Sequence, residues 1–158
     1  AIIEPSEPDE VMLLKTLIRK PPVPIEAVDE IKITEKEKIS FFDFDRNIIY
    51  VKRGTNTKEL LFSLARECAM SDLSLKVENY ARPALHFKAV CVAYIICKKL
   101  GADTKDIELR VPATYTTMEP EKLWKVLEDI RNEANDMYAR LSKSIEQNKA
   151  PKTKEQER

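Results

Sequence analysis

The stretch between Pro83 and Gly101 leaves a chain of 158 residues few ways to fold. Pro83 suits the first position of a helix, where a missing N–H costs nothing, and Gly101 suits the left-handed residue that ends one. Between them, Leu85, Phe87, Ala89, Val90, Val92, Ala93, Ile95, Ile96 and Leu100 make the helix apolar nearly all round. Such a helix must be covered on most sides, so residues 83–100 are expected to be the spine of the core. With only two glycines in the chain and abundant Leu, Lys and Glu, most of the cover is expected to be helical.

Two other helices can supply it. Asn56, with Glu59 three residues on, has the form of a capping box. After it Leu61, Leu64, Ala65, Cys68 and Ala69 form one apolar stripe at helical spacing. Glu119 and Pro120 open a last helix through about Gln147, where Leu123, Leu127, Ile130, Ala134, Met137, Leu141 and Ile145 alternate spacings of three and four. Trp124 reads as a packing residue near its start. Upstream, Ser6 and Pro8 announce a helix to Arg19 with Val11, Leu14, Leu17 and Ile18 facing inward, and Pro21, Pro22 and Pro24 impose an extended connector. One or two helical turns are expected over 25–30, a short strand over 31–34, and then a hairpin of Ile39–Phe44 with Ile48–Val51 through Asp45, Arg46 and Asn47.

The fold class is therefore α+β. The expectation is one helix-rich domain over 9–147, with a small antiparallel sheet of about three strands and three long C-terminal helices. Residues 1–8 are expected to be a flexible lead and 148–158, charged and without an apolar stripe, a disordered tail. Numbering that starts at Ala1 suggests a piece of something longer.

Charge and composition close off several function classes. Acidic and basic residues number 27 each, so no global field draws the chain to nucleic acid or an anionic membrane. Lys98, Lys99, Lys105 and Arg110 cluster, but Asp103, Asp106 and Glu108 interleave with them, as on a solvated surface and unlike a phosphate stripe. No apolar run reaches the roughly 18 residues of a membrane span, and no secretory signal heads the chain. The expected location is cytoplasmic, with no membrane partner. Cys68, Cys91 and Cys97 are odd in number and lack a Cys-x-x-Cys pair, which suits reduced, buried thiols. Asp43, Asp45 and Asn47 imitate the opening of a calcium loop, but Ile48 stands where that loop needs glycine and no glutamate closes it; they read as a hairpin turn. A glycine-rich phosphate loop, a Ser-His-Asp set and a dinucleotide fingerprint are all missing.

One pentapeptide carries chemistry. Arg66-Glu67-Cys68-Ala69-Met70 resembles the zinc-peptidase helix His-Glu-x-x-His, whose imidazoles grip the metal while the glutamate activates its water. Its flanks extend the likeness. Pro22 to Val28, Phe41 to Val51, Leu64 to Ala69 and above all Ala89 to Thr104 are similar to the zincin-like metallopeptidases of phage and mobile elements. These are the ImmA/IrrE group and its ArdC- and LtrC-like relatives, and the likeness covers roughly residues 9–147.

The resemblance implies zinc ligands at Arg66, Met70 and Val90 and a general base at Glu67. An arginine has no lone pair, a thioether is a poor zinc ligand and valine is none, which leaves Glu67 as a vestigial base. The expected protein is a pseudoenzyme: a regulatory or interaction domain of a plasmid, conjugative-element or phage protein, without cofactor, binding a protein or peptide at the former active-site cleft or the surface around it. Arg66 is expected to fill the vacated metal cavity and pair with Glu67 or another acid. Two alternatives stay open. A working metallopeptidase would need atypical ligands, such as the lone His86 with Glu67. An anti-restriction or single-stranded-DNA-associated module is the other, although in the ArdC-like proteins that part resembles a separate N-terminal domain which this chain does not contain.

Overall fold

The computed structural model describes residues 6–32 and 38–156, with side chains over 10–32 and 38–147. Its elements are α1 (Ser6–Arg19), β1 (Ile25–Val28), β2 (Ser40–Asp43), β3 (Ile48–Lys52), α2 (Thr57–Ser74), α3 (Arg82–Lys99), α4 (Ala113–Thr116) and α5 (Pro120–Gln156). The α+β class and the three long helices α2, α3 and α5 agree with the sequence. Among the described residues, no helix is long and apolar enough to cross a membrane.

The three-stranded sheet departs from expectation. Its order is β1-β3-β2, with β2 antiparallel to β3 but β1 parallel to it, so the sheet is mixed. The first strand is Ile25–Val28, where helical turns were expected. Pro22 and Pro24 deliver the chain already extended. Pro24 O then accepts from Ile49 N at 2.9 Å and Val28 O from Arg53 N at 2.8 Å, continuing the parallel ladder at both ends. Tertiary pairing overrides a weak local preference here. Ile31 and Lys32 are not strand, and the rest of the strand expected over 31–34 lies outside the described residues. The hairpin closes as expected: Asn47 is left-handed (φ 56°) and Asp43 accepts from Arg46 N at 3.2 Å.

Helix α3 is the spine, with Leu85, Ala89, Val92, Ala93, Ile96 and Cys97 all buried and Gly101 at φ 88° turning the chain away after it. The α2 stripe Leu61, Leu64, Ala65, Cys68 and Ala69 packs into the same cluster, which Phe42, Ile49 and Val51 join from the sheet. Asn56 caps α2, accepting from Glu59 N at 2.9 Å. The helix runs on beyond the stripe to Ser74, because Leu73 is also buried. Lys88 meets Asp129 at 2.8 Å and Lys99 lies 4.5 Å over the Tyr138 ring, so α3 and α5 run parallel.

The apolar stripe of α1 is rotated from its expected face, whereas that of α5 keeps Ile130, Ala134, Met137 and Leu141 buried as expected. In α1 the inner residues are Leu13 and Leu17, with Glu10 and Thr16 buried beside them, while Ile18 is exposed. Those polar groups are satisfied there, Glu10 by Asp103 N and Thr16 by Met12 O. In α5 the buried line is Val126, Ile130, Ala134, Met137 and Leu141, and Leu127 is exposed. Trp124, expected to pack, is 71% exposed. Helix α5 continues to Gln156, so residues 148–156 are helical instead of the expected disordered tail. The expected lead over 1–8 is cut short by α1, which starts at Ser6; residues 1–5 lie outside the described residues.

Helices α2 and α5 are joined by a charged knot. Glu133 is 1% exposed. Its Oε1 accepts from Lys76 at 3.0 Å, Arg140 stands 3.7 Å from its Oε2 while bonding Asp72, and Lys76 also reaches Asp136 at 3.6 Å. Glu133 Oε2 has no hydrogen-bond partner among the described residues. Burial, then the adjacent Asp72 carboxylate, push the Glu133 carboxyl up to about 7 against the pull of Lys76. A carboxyl raised in the fold favours folding while protonated, and that advantage is lost as pH rises through its folded value. Between an ordinary 4.5 and about 7, this site should lose roughly 3 kcal/mol of stability. Thermal melts from pH 5 to pH 8 should show a falling midpoint, and Glu133→Gln should flatten that slope.

Candidate functional site

The pentapeptide Arg66 to Met70 lies in the middle of α2 and puts its glutamate in the core. Glu67 is fully buried. Its Oε1 accepts from Phe42 N at 2.8 Å and Arg82 Nη1 at 2.7 Å, and its Oε2 from Arg66 Nε at 2.9 Å and Arg82 Nη2 at 2.8 Å. Those four donors match the acceptor capacity of a carboxylate. The Arg82 pair is bidentate, the strongest form of this contact.

Each partner is positioned by its own element. Arg66 precedes Glu67 on α2; its Nε bonds that carboxylate, and its Nη2 also reaches Ser63 Oγ at 3.3 Å. Ser63 Oγ in turn lies 2.5 Å from Ser40 Oγ on β2. The Phe42 N–H is available because β2 is an outer strand. Ile39 and Lys52 bond across the hairpin, so Phe41 and Asp43 turn their amides to β3 while Phe42 turns its amide outward. Arg82 is the first residue of α3, and its guanidinium lies 4.7 Å over the Phe41 ring. Tyr80, stacked on Phe44 at 4.3 Å and edge-on to Phe42, completes an aromatic wall around the outer end of β2.

Burial alone would raise the Glu67 carboxyl. The hydrogen bonds and charges of Arg82 and Arg66 outweigh it and hold the carboxyl below its ordinary value. Such a group is a fixed anion with every lone pair engaged. A general base needs a free lone pair near its substrate and an affinity for the proton it takes, and Glu67 has neither.

The other positions that the resemblance marks do not assemble into a metal site. Met70 is fully buried in the apolar core, Val90 is half-buried on α3 and Arg66 is committed to Glu67 and Ser63. His86 stays on the solvent side of α3; partial desolvation and the charges of Arg66 and Arg82 hold its pKa below the usual imidazole value. Among the described residues, no three His, Cys, Asp or Glu side chains are placed to hold a metal ion. Zinc does not fit these side chains. The three cysteines are free, with Cys68 and Cys97 buried and Cys91 partly so. Burial raises all three thiols, Cys91 to about 11 and Cys97 to about 12, so none is a ready nucleophile.

Arg82 is the residue that sequence reasoning missed. A signal for it existed: a cation in the first turn of a helix that has no acidic residue there opposes the helix dipole. Such a cation points to a carboxylate supplied from elsewhere in the fold. No protein-family model, curated protein or solved structure matches this chain.

Removing Glu67 should strand two guanidiniums and the Phe42 amide. Glu67→Ala should cost on the order of 3–5 kcal/mol in urea unfolding. Arg82→Ala should lower the melting temperature more than Arg66→Ala, since Arg82 supplies two of the four bonds. Equal melting temperatures for wild type and all three variants would contradict this account of the site.

Proposed function

We propose that this domain is a non-catalytic binding module that holds a protein or peptide segment, built on a scaffold resembling the zincin-like metallopeptidases. The observation that carries this reading is the saturated Glu67 carboxylate, whose lone pairs are engaged by Arg66, Arg82 and the Phe42 amide. In a zinc peptidase the corresponding glutamate must be free to take a proton from a metal-bound water. Here two guanidiniums stand around it, and a salt bridge takes over the crosslinking task that a metal would perform. The plasmid, conjugative-element or phage setting rests on the sequence resemblance alone.

The rival readings make different demands. A peptidase with unusual ligands would need a metal bound by Glu67 and His86. Metal analysis of protein purified without chelator should give far less than one zinc per chain, with no peptide cleavage when zinc is added; stoichiometric zinc with cleavage would overturn the proposal. A single-stranded-DNA module would need a cationic track, whereas Arg110 is paired with Glu108 and Lys58 with Asp103 and Asp106. Filter binding at low salt should show negligible affinity and almost no salt dependence.

A further inference from the structure

A cavity of about 580 Å³ opens along the N-terminal half of α2, within the size range of small-ligand sites. Of the former metal positions only Arg66 lines it, so it is a different place from the one the resemblance marks. Lys38 lines it too, and its other charges are sorted by end. Lys58 bonds Asp103 and Asp106, and Glu10 accepts from the Asp103 amide at 3.1 Å. These contacts gather three carboxylates and one lysine around the start of α2, where Glu59 adds another acid. Arg66 lies about 12 Å farther along the helix, at ~1.5 Å per residue. Leu61, Phe62 and Ile107 contribute apolar wall between the two ends.

Both ends carry unspent capacity. Glu10 is 7% exposed and lines the cavity; its Oε1 takes the Asp103 amide. A carboxylate that faces a cavity can accept further bonds there from a cation or N–H donor. Lys58 cannot serve, being held by Asp103 and Asp106 at 2.8 and 3.3 Å. At the other end, Arg66 and Arg82 share the single Glu67 carboxylate, which leaves excess positive charge. Arg66 uses Nε on Glu67 and Nη2 on Ser63, and its Nη1 has no partner among the described residues.

We infer that this cavity binds a short zwitterionic peptide. Its ammonium group lies against Glu10 at the acidic end and its carboxylate against Arg66. The roughly 12 Å of α2 between the two ends matches the length of about three extended residues at ~3.3–3.6 Å each. The inference deepens the proposed binding function and rests on it in one respect: the peptide is held and not cut.

The test is calorimetric titration of the full chain with trialanine, N-acetyl-trialanine and trialanine amide, with backbone amide shifts followed by NMR. Free trialanine should bind saturably and shift the amides of Leu61, Phe62 and Ile107, and blocking either end should weaken it at least tenfold. Glu10→Gln and the surface variant Asp106→Asn should each weaken free trialanine and leave the acetylated peptide unchanged. Equal affinity for all three peptides, shifts confined to other regions, or no saturation at millimolar peptide would overturn the site. Mass spectrometry of the peptide afterwards separates the two ideas. Cleaved trialanine would refute the non-catalytic reading, whereas intact trialanine that fails to bind refutes the site alone.

Discussion

The fold turns on one buried carboxylate. Glu67 receives a backbone amide from β2, a guanidinium from its own helix and the first side chain of α3, so three elements far apart in sequence meet at a single group. An anion in an apolar interior is tolerated only when its desolvation is repaid by close, well-aligned donors. That requirement works as a geometric lock, because β2 must stop at one height against α2, and α3 must begin where its first residue reaches back. Apolar packing is non-directional and would allow these elements to slide; the carboxylate removes that freedom.

The second constraint is the spine. Helix α3 buries Ala89, Val92, Ala93 and Ile96 completely. It can do so because α2 and α5 lie against it while the sheet packs on α2. Since α3 and α5 run parallel, the chain must return the length of α3 between them, and residues 100–119 with the short α4 make that return. Tyr115 of α4 touches Phe87 on the way, at 4.9 Å between ring centroids. The small residues Ala89 and Ala93 let neighbouring backbones approach closely, so this seam has little room for larger side chains.

How much of this could be read from residues alone depended on whether the deciding contact was local. Asn56 and Pro83 mark helix starts through contacts within a few residues; Asn56 caps α2 as expected, and α3 begins one residue before Pro83. The parallel placement of β1 did not, because the bonds at Pro24 and Val28 are made to residues some two dozen positions away. The inner face of α1, and the buried Glu133 beside the stripe of α5, were missed for a related reason. Glu10, Thr16 and Glu133 count as polar in a periodicity pattern, yet each is buried beside a partner from within or beyond its helix. For the site, Glu67 was among the partners expected for Arg66 from its place on α2, whereas Arg82 and the Phe42 amide required knowing which elements meet.

An outer strand normally advertises a row of unpaired amides and carbonyls to any passing chain. On β2 that invitation is withdrawn at its midpoint, since the outward N–H of Phe42 is already spoken for by a helix side chain. A would-be fourth strand would have to expel a carboxylate held by two arginines before it could zip on. The sheet is thereby capped at this border, and the same carboxylate that fixes the interior also guards the molecule against edge-to-edge polymerisation.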